Sequence, residues 1–533
     1  MPIPNNPVSA SQLISLQVGE AQTGGVTAAA DRPRAAAGSV ARAALASVAA
    51  ARAALSTHAN GSATGATAIP RIALHRLGHD STAVSAAAST AVSAAVSAIP
   101  GAVKPPFVPE SDNDTLGIIA GYLQQEDQLV MRNIDASIRA VVDSTIHTLK
   151  LDSRDACVVL SEPNALHNLR ELHVTECTDE ALIELAAKLA EMPKTDFTLI
   201  VQSKPFFNHV SVNGIRPLLA LHLSGLMLKN IPVPLEMSRA LAHSIAPLSI
   251  YLPYVLDKNS NVYEISQLPA LRLLSVGHQA VTPAAIEALR WHPALEKLHI
   301  HTLVGSDVCT LATSADIHTL SIAKIRDGEA AALRALADNN VLTSLGVGVD
   351  YADSLSALSQ NGTLKQLRLS VRDLSPSVLP ALARMPALEN FELSCERTQA
   401  LGIGVADIQA LCTKPLKSLS FNGFTLADAA RKLLATAQTN SLQVQLCTPF
   451  ESADLAVLSQ NRSITSLLIQ PGSGAIDNYR DVMALVTSTR LHLASLSIRV
   501  GSRTPESDKD ALQTAWITSG RQLSNLELEV FLV

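Results

Sequence analysis

Residues Ala294–Leu369 read ALEKLHIHTLVGSDVCTLATSADIHTLSIAKIRDGEAAALRALADNNVLTSLGVGVDYADSLSALSQNGTLKQLRL. One short pattern returns four times in them. It is Leu295-x-x-Leu298-x-Ile300, then Ile317-x-x-Leu320-x-Ile322, Leu342-x-x-Leu345-x-Val347 and Leu364-x-x-Leu367-x-Leu369. The first anchors lie 22, 25 and 22 residues apart. A return at this period leaves room for one short strand and one helix per step, and predicts an α/β solenoid of leucine-rich repeats. The expected shape is a horseshoe with strands on the concave face and helices on the convex face.

Working outward, the same pattern stands at Leu169-x-x-Leu172-x-Val174 and Leu271-x-x-Leu274-x-Val276 before the opening stretch. After it come Leu388-x-x-Phe391-x-Leu393, Leu416-x-x-Leu419-x-Phe421, Ile464-x-x-Leu467-x-Ile469, Leu493-x-x-Leu496-x-Ile498 and Leu523-x-x-Leu526-x-Leu528. A shifted copy lies near Leu442–Leu446, and Leu199–Val201 and Leu218–Leu223 are less regular. The poorest match is 224–266, where Pro232, Pro234, Pro247 and Pro253 predict a longer loop. Glu329–Asp338, Ser375–Arg384 and Pro283–Arg290 read as the helices between strands. Ser375 is expected to cap its helix, with Pro376 in the first turn, where a missing N–H costs nothing.

The chain has 533 residues, of which 17% are charged and 3% aromatic. Its apolar content is therefore Ala, Leu, Val and Ile, which suits small stacked repeats. The net charge of −6 is uneven: residues 1–110 carry +3 and the remainder −9. An acidic body with no stripe of Lys and Arg argues against nucleic acid as the main ligand. Six scattered cysteines with no CxxC read as reduced, mostly buried thiols. No run is long and apolar enough for a membrane span, and the N-terminus has neither the basic n-region nor the apolar core of a secretory signal.

Three units are expected. Residues 1–110 are rich in Ala, Ser, Thr, Gly, Pro and Val, with few long apolar anchors, and cannot offset their ordering entropy. They read as a disordered leader, either a passive tail or a segment for secretion and translocation. Residues 111–150 read as about three short helices, with Leu116, Ile118, Ile119, Tyr122 and Leu123 at helical spacing and a second stripe from Val130 to Val142. Residues 151–533 are the solenoid.

The helical unit resembles an F-box. Ile119, Tyr122-Leu123, Asp127, Ile134 and Arg139 fall at the spacing of that family's pattern. Its opening Leu-Pro is replaced by Ser111-Asp112, its late Trp by Ile138, and the Leu after the Asp by Gln128. From the residues alone, a plain helical cap over the first repeat stays open. The later repeats share a second phrase: ALADNNVLTSL at 335–345, LSQNGTLKQL at 358–367 and LSQNRSITSL at 458–467. With GEAAAL at 328–333, this is similar to the GALA family of bacterial F-box–leucine-rich-repeat type III effectors, although no repeat spells Gly-Ala-Leu-Ala in full.

The resemblance implies a protein injected into the cytoplasm or nucleus of a host cell. It implies a non-catalytic adaptor with two partners. One is a host Skp1-type protein, held through Leu116, Ile119, Leu123, Asp127 and Ile134. The other is a host target protein, held by the repeats for ubiquitination. No nucleic acid, membrane, cofactor or metal is expected.

On the repeats themselves, alternation predicts a concave row of small polar residues: Ser275, Gly277, Ser321, Ala323, Gly346, Gly348, Ser370, Ser394 and Ser420. His299, His301, Arg368, Glu392 and Arg499 interrupt it as candidate target contacts, and Glu527 lies further on. Two imidazoles flanking Ile300 begin a zinc ligand set, but no third ligand stands at local spacing, so they read as surface histidines. Cys177-Thr178-Asp179 has the look of a Cys-x-Asp nucleophile. Cys177 sits where a repeat turns from strand to helix, and a buried structural thiol is the better reading.

Overall fold

Burial follows the repeat pattern. In the computed structural model all twelve anchors of the opening four repeats are buried, none more than 3% exposed. The structure describes residue 128 and residues 143–531, apart from 161–167, 193–196, 204–209, 253–260, 279–280, 396–400, 447–451, 472–478, 502–505, 519–525 and positions 351, 376, 427, 435, 489, 490 and 492. The leader 1–110 and most of the F-box-like unit 111–150, all but residue 128 and residues 143–150, lie outside the described residues. The first strand, Thr148–Asp152, straddles the expected junction with the solenoid.

The described strands form one sheet of seventeen, from Thr148–Asp152 to Leu526–Phe531. The strands pair in parallel in chain order, as Lys297–Val304 does with Thr319–Arg326 and Gln366–Val371 with Asn390–Cys395, except that Asn390–Cys395 and the short strand Leu401–Ile403 both pair with Leu416–Leu426. Successive helices pack on one another on the other side of the core. Strands repeat at about 4.8 Å, whereas packed helices need about 8–10 Å. The stack must therefore curve, with the sheet inside. The two clearest helix expectations are met at Glu329–Asp338 and Pro283–Arg290. The latter starts with Pro283 in its first turn, and the Thr282 hydroxyl accepts the Ala285 N–H.

The recurrent phrase explains the return from helix to strand. Asn339 and Asn361 are buried, and each side-chain oxygen accepts two backbone N–H groups at the start of the next repeat: Val341 and Leu342, then Thr363 and Leu364. Their amide groups donate back to the preceding coil, Asn339 to Ala312 O at 2.6 Å and Asn361 to Asn339 O at 2.7 Å. Asn461 repeats the device with Ser463, Ile464 and Ala437. His292 takes the same place, with Nε2 at 2.9 Å from Leu268 O and Nδ1 accepting from Ala294. A buried turn needs such partners, because an unmet backbone group there costs as much as a lost hydrogen bond.

The described part of 224–266 holds two further coils: strand Gly225–Lys229, helix Leu235–Leu241, strand Leu248–Tyr251 and helix Val262–Ile265; the expected longer loop is not among these elements, and 253–260, with Pro253, lie outside the described residues. Pro234 sits at a helix N-cap and Pro247 just before a strand, positions where a missing donor is tolerated. These coils lack strict anchors, and the strand register slips between Leu248 and Ser249. Ser375 does not cap a helix. Its hydroxyl pairs with the Asp353 carboxylate, and the helix begins later, at Val378–Leu382.

Candidate partner-binding face

Parallel register turns the alternation of each strand into rows across the sheet. Ser275, His299, Ser321, Gly346, Arg368, Glu392 and Ser420 stand side by side, joined by six successive strand pairings. Gly348, Ser370, Ser394 and Asn422 begin the next row. The small residues at Ser321 and Gly346 leave a low floor between His299 and Arg368. The floor is tightly built: a Cβ on Gly348 would lie 1.9 Å from the Ala323 carbonyl oxygen.

Charged groups on this face are mostly met by opposite ones. Arg368 Nε pairs with Glu392 on the adjacent strand, both half-buried. Asp350 meets Arg372 at 3.1 Å and Lys324 at 3.6 Å. His299 is desolvated, and the Arg368 and Lys297 charges add to that, holding its pKa down to about 4. Its ring is therefore neutral at pH 7 and offers both a donor and an acceptor. His301 packs against His278, ring centroids 3.9 Å apart, and its Nδ1 lies 2.9 Å from Thr302 Oγ1. Among the described residues, no group of three His, Cys, Asp or Glu is arranged to hold a metal ion.

The candidate residues separate into three sets. His299, His301, Arg368 and Glu392 share one stretch of the concave face. Arg499 is on strand Ser495–Gly501, several coils away, where its backbone pairs with Glu529. Leu116, Ile119, Leu123, Asp127 and Ile134 lie outside the described residues. Sequence reading missed His278, which follows strand Leu271–Val276 and is brought to His301 by the stacking of coils. It also missed the face of the first coils, where Lys150, His173, Gln202, Lys229 and Tyr251 gather. His173 lies within a regular anchor pattern, but Gln202, Lys229 and Tyr251 lie in coils without one, where the phase could not be read.

Cys177 is 3% exposed, its Sγ donates toward Val174 O at 3.5 Å, and burial pushes its thiol up to about 12. A protonated, enclosed thiol is a packing group, not a nucleophile. A cleft of about 370 Å³ lies on the convex side, lined by Pro380, Ala383, Arg384, Ala410, Thr413 and Lys414. Lys414 Nζ there donates to Met385 O at 2.6 Å. No helix among the described residues is long and apolar enough to cross a membrane.

No family model and no curated protein sequence matches the chain. Solved structures do. An internalin (inlF) from Listeria monocytogenes is 18% identical over 69% of this chain and 92% of its own, with a TM-score of 0.29. The yeast Rad7–Elc1 complex matches at 13% identity over 79% and 89%, TM-score 0.37. The TLR13–ssRNA13 complex matches at 13% over 74% and 63%, TM-score 0.31. The leucine-rich-repeat assignment rests on this chain's own parallel sheet and repeating helices.

Proposed function

We propose that the chain is a non-catalytic adaptor whose concave face binds a target protein. The observation that carries this is the row from Ser275 to Ser420: broad, small-residue and hydrogen-bonding, with charges held in pairs. A wide wettable face fits a protein surface, whereas a small ligand needs a deeper apolar pocket. The finer reading is a type III secreted effector that recruits a host Skp1-type protein through Leu116, Ile119, Leu123, Asp127 and Ile134 and presents the target for ubiquitination in the host cytoplasm or nucleus. What supports it is the order along the chain, leader then F-box-like helices then repeats, together with the GEAAAL, DNN and SQN phrasing.

The test is calorimetric titration of the full chain with a purified plant Skp1-type protein. Saturable binding at about micromolar Kd, abolished by Leu123→Ala with Ile134→Ala, is expected. Absence of binding at about 100 μM reduces 111–150 to a solenoid cap and leaves a protein-binding module without a ubiquitin-ligase link. A separate arm addresses the target face. Arg368→Gln, which removes the half-buried charge paired with Glu392 without setting two carboxylates against each other, is expected to weaken target capture while sparing the Skp1-type partner.

A further inference from the structure

Several polar groups of the concave face are paired within the protein. Ser344 Oγ donates to Gln366 Oε1 at 3.2 Å, Ser394 Oγ to Leu369 O at 3.1 Å and Ser495 Oγ to Ser466 Oγ at 2.7 Å. Arg368 meets Glu392. Strands Leu416–Leu426 and Thr439–Leu446 interrupt this. Leu419, Phe421, Leu442 and Val444 enter the core, so the residues between them face the concave side. The register sets Ser420 beside Gln443 and Asn422 beside Gln445. The carboxamides of Asn422, Gln443 and Gln445 are half-buried and hydrogen-bond no other group among the described residues. Ser420 is 5% exposed, and its Oγ is enclosed with no hydrogen-bond partner. Glu392 and Gln443 flank it in the row and the core lies beneath, so a partner has to come from the concave side.

A buried hydroxyl without a partner is a cost that folds rarely keep. A carboxamide holds a donor and an acceptor in one plane, as a peptide group does, so it can give to a C=O and take from an N–H of the same main chain. Gln443 and Gln445 stand two residues apart on one strand, and side chains so placed repeat at about 6.6 Å. An extended chain presents the N–H and C=O of every second residue along one edge at that same spacing. Ser420 and Asn422 repeat the step on the adjacent strand. A chain lying with one edge on these groups points its side chains alternately to either side. On one side is Leu468, half-buried and in register with Gln443. On the other is the Arg368–Glu392 pair. The concave positions of the two strands, Ser418, Ser420, Asn422, Ser441, Gln443 and Gln445, carry no charge, so nothing there selects an ion.

We propose that Asn422, Gln443 and Gln445, above the unmet hydroxyl of Ser420, hold the main chain of an extended, uncharged segment of a partner protein, with an apolar side chain of that segment over Leu468. This deepens the target-binding reading and rests on it. Matched spacing selects the ligand class: two carboxamides one strand-pair repeat apart read peptide groups, and the single apolar neighbour sets where a side chain is placed.

The experiment is fluorescence anisotropy of the full-length protein with a short, capped, fluorescein-labelled peptide alternating Ser and Val, and with the same peptide N-methylated at every backbone amide. The unmethylated peptide is expected to bind, with an affinity that changes less than about twofold when salt is raised from about 50 to 300 mM, since no charge pair is made. The N-methylated peptide is expected not to bind. Absence of binding of the first peptide at about 1 mM, or equal binding of both, overturns the proposal. Gln443→Met with Gln445→Met keeps the side-chain length and is expected to weaken binding about tenfold. Ser420→Ala is expected to keep or raise the denaturation midpoint of the free protein, because no bond is lost, and still to weaken the peptide about threefold. A lowered midpoint shows that the hydroxyl has its partner within the fold and overturns the proposal. Tighter binding of maltohexaose, which offers hydroxyls but no peptide group, overturns the choice of a peptide ligand. If Arg368→Gln abolishes peptide binding and the Met pair does not, the docking place is wrong and the concave-face reading survives. Protection of the convex helices alone, in hydrogen exchange with the bound peptide, overturns both.

Discussion

The coils spanning Lys297–Cys395 and those spanning Thr198–Tyr251 reach the same architecture by different means. In the former the strands alternate, as in Gln366–Val371, where Leu367, Leu369 and Val371 are buried and Gln366, Arg368 and Ser370 are partly open. In the latter the three central residues of Thr198–Gln202 and Gly225–Lys229 are all buried. A strand covered on both faces reads as a continuous apolar run and gives no phase. The regular coils keep their face low with Gly and Ser and close their turns with Asn. The irregular coils fill the face with Ile200, Met227 and Tyr251 and close their turns more loosely, as where Ser244 Oγ donates to Ala246 O at 3.0 Å. Regularity therefore marks tight interlocking of neighbours, and irregularity marks tolerance.

The sharpest way to break this contrast is at glycine. Gly348→Ala drives a methyl group to 1.9 Å from a backbone carbonyl, and is expected to cost about 3 kcal/mol or more. Gly225→Ala meets its nearest atom, the Thr198 hydroxyl, at 3.3 Å, and is expected to stay within about 1 kcal/mol. Denaturation midpoints of the pair decide it, and equal losses would remove the distinction.

The turns carry the next effect. Asn361→Ala strands the Thr363 and Leu364 N–H groups and the carbonyls of Leu336, Ala337 and Asn339, and should cost about 2–4 kcal/mol. Ser244→Ala, in an irregular coil, should cost less than about 1 kcal/mol. Hydrogen exchange should show the Asn361 loss concentrated in the coils on either side, because each repeat leans on its neighbours.

Acid probes the regular face. His299 has a folded pKa near 4 against an ordinary 6.5, so the unfolded chain binds its proton first. Its contribution is present in full above about pH 6.5 and is lost progressively as the pH falls toward 4, by about 1–3 kcal/mol. His299→Gln should flatten the dependence of the unfolding midpoint over that window. The smallest effect is expected at Arg272–Glu296, paired at 2.8 Å with both side chains about half exposed. Arg272→Ala should change stability by less than about 1 kcal/mol, and that difference should shrink in salt.

Legibility in the sequence tracks the same contrast. The anchors from Leu295 to Leu369 announced their strands, and the helices Pro283–Arg290 and Glu329–Asp338 were bounded by Pro283, Gly328 and the DNN turn. The row joining His299, Arg368 and Glu392 could also be read, because a period of two fixes a residue's side once one anchor is known. Ser375 misled because a good capping residue was taken by Asp353 from the preceding coil, a partner 22 positions away. Pro234 and Pro247 read as loop signals, yet they stand at a helix N-cap and before a strand, because propensity shows that a donor is missing but not that the site needs none.

Local composition and period thus determined by themselves that the chain is a leucine-rich-repeat solenoid, which side chains enter its core, and that its regular concave face is small and polar. These follow from spacing along one strand. The tertiary structure decided the pairing of Arg368 with Glu392, the packing of His278 on His301, the lowered pKa of His299 and the assembly of Lys150, His173, Gln202, Lys229 and Tyr251. Each depends on the register between neighbouring coils. That register is set where long-range backbone pairing and side-chain volume meet, which no single repeat contains.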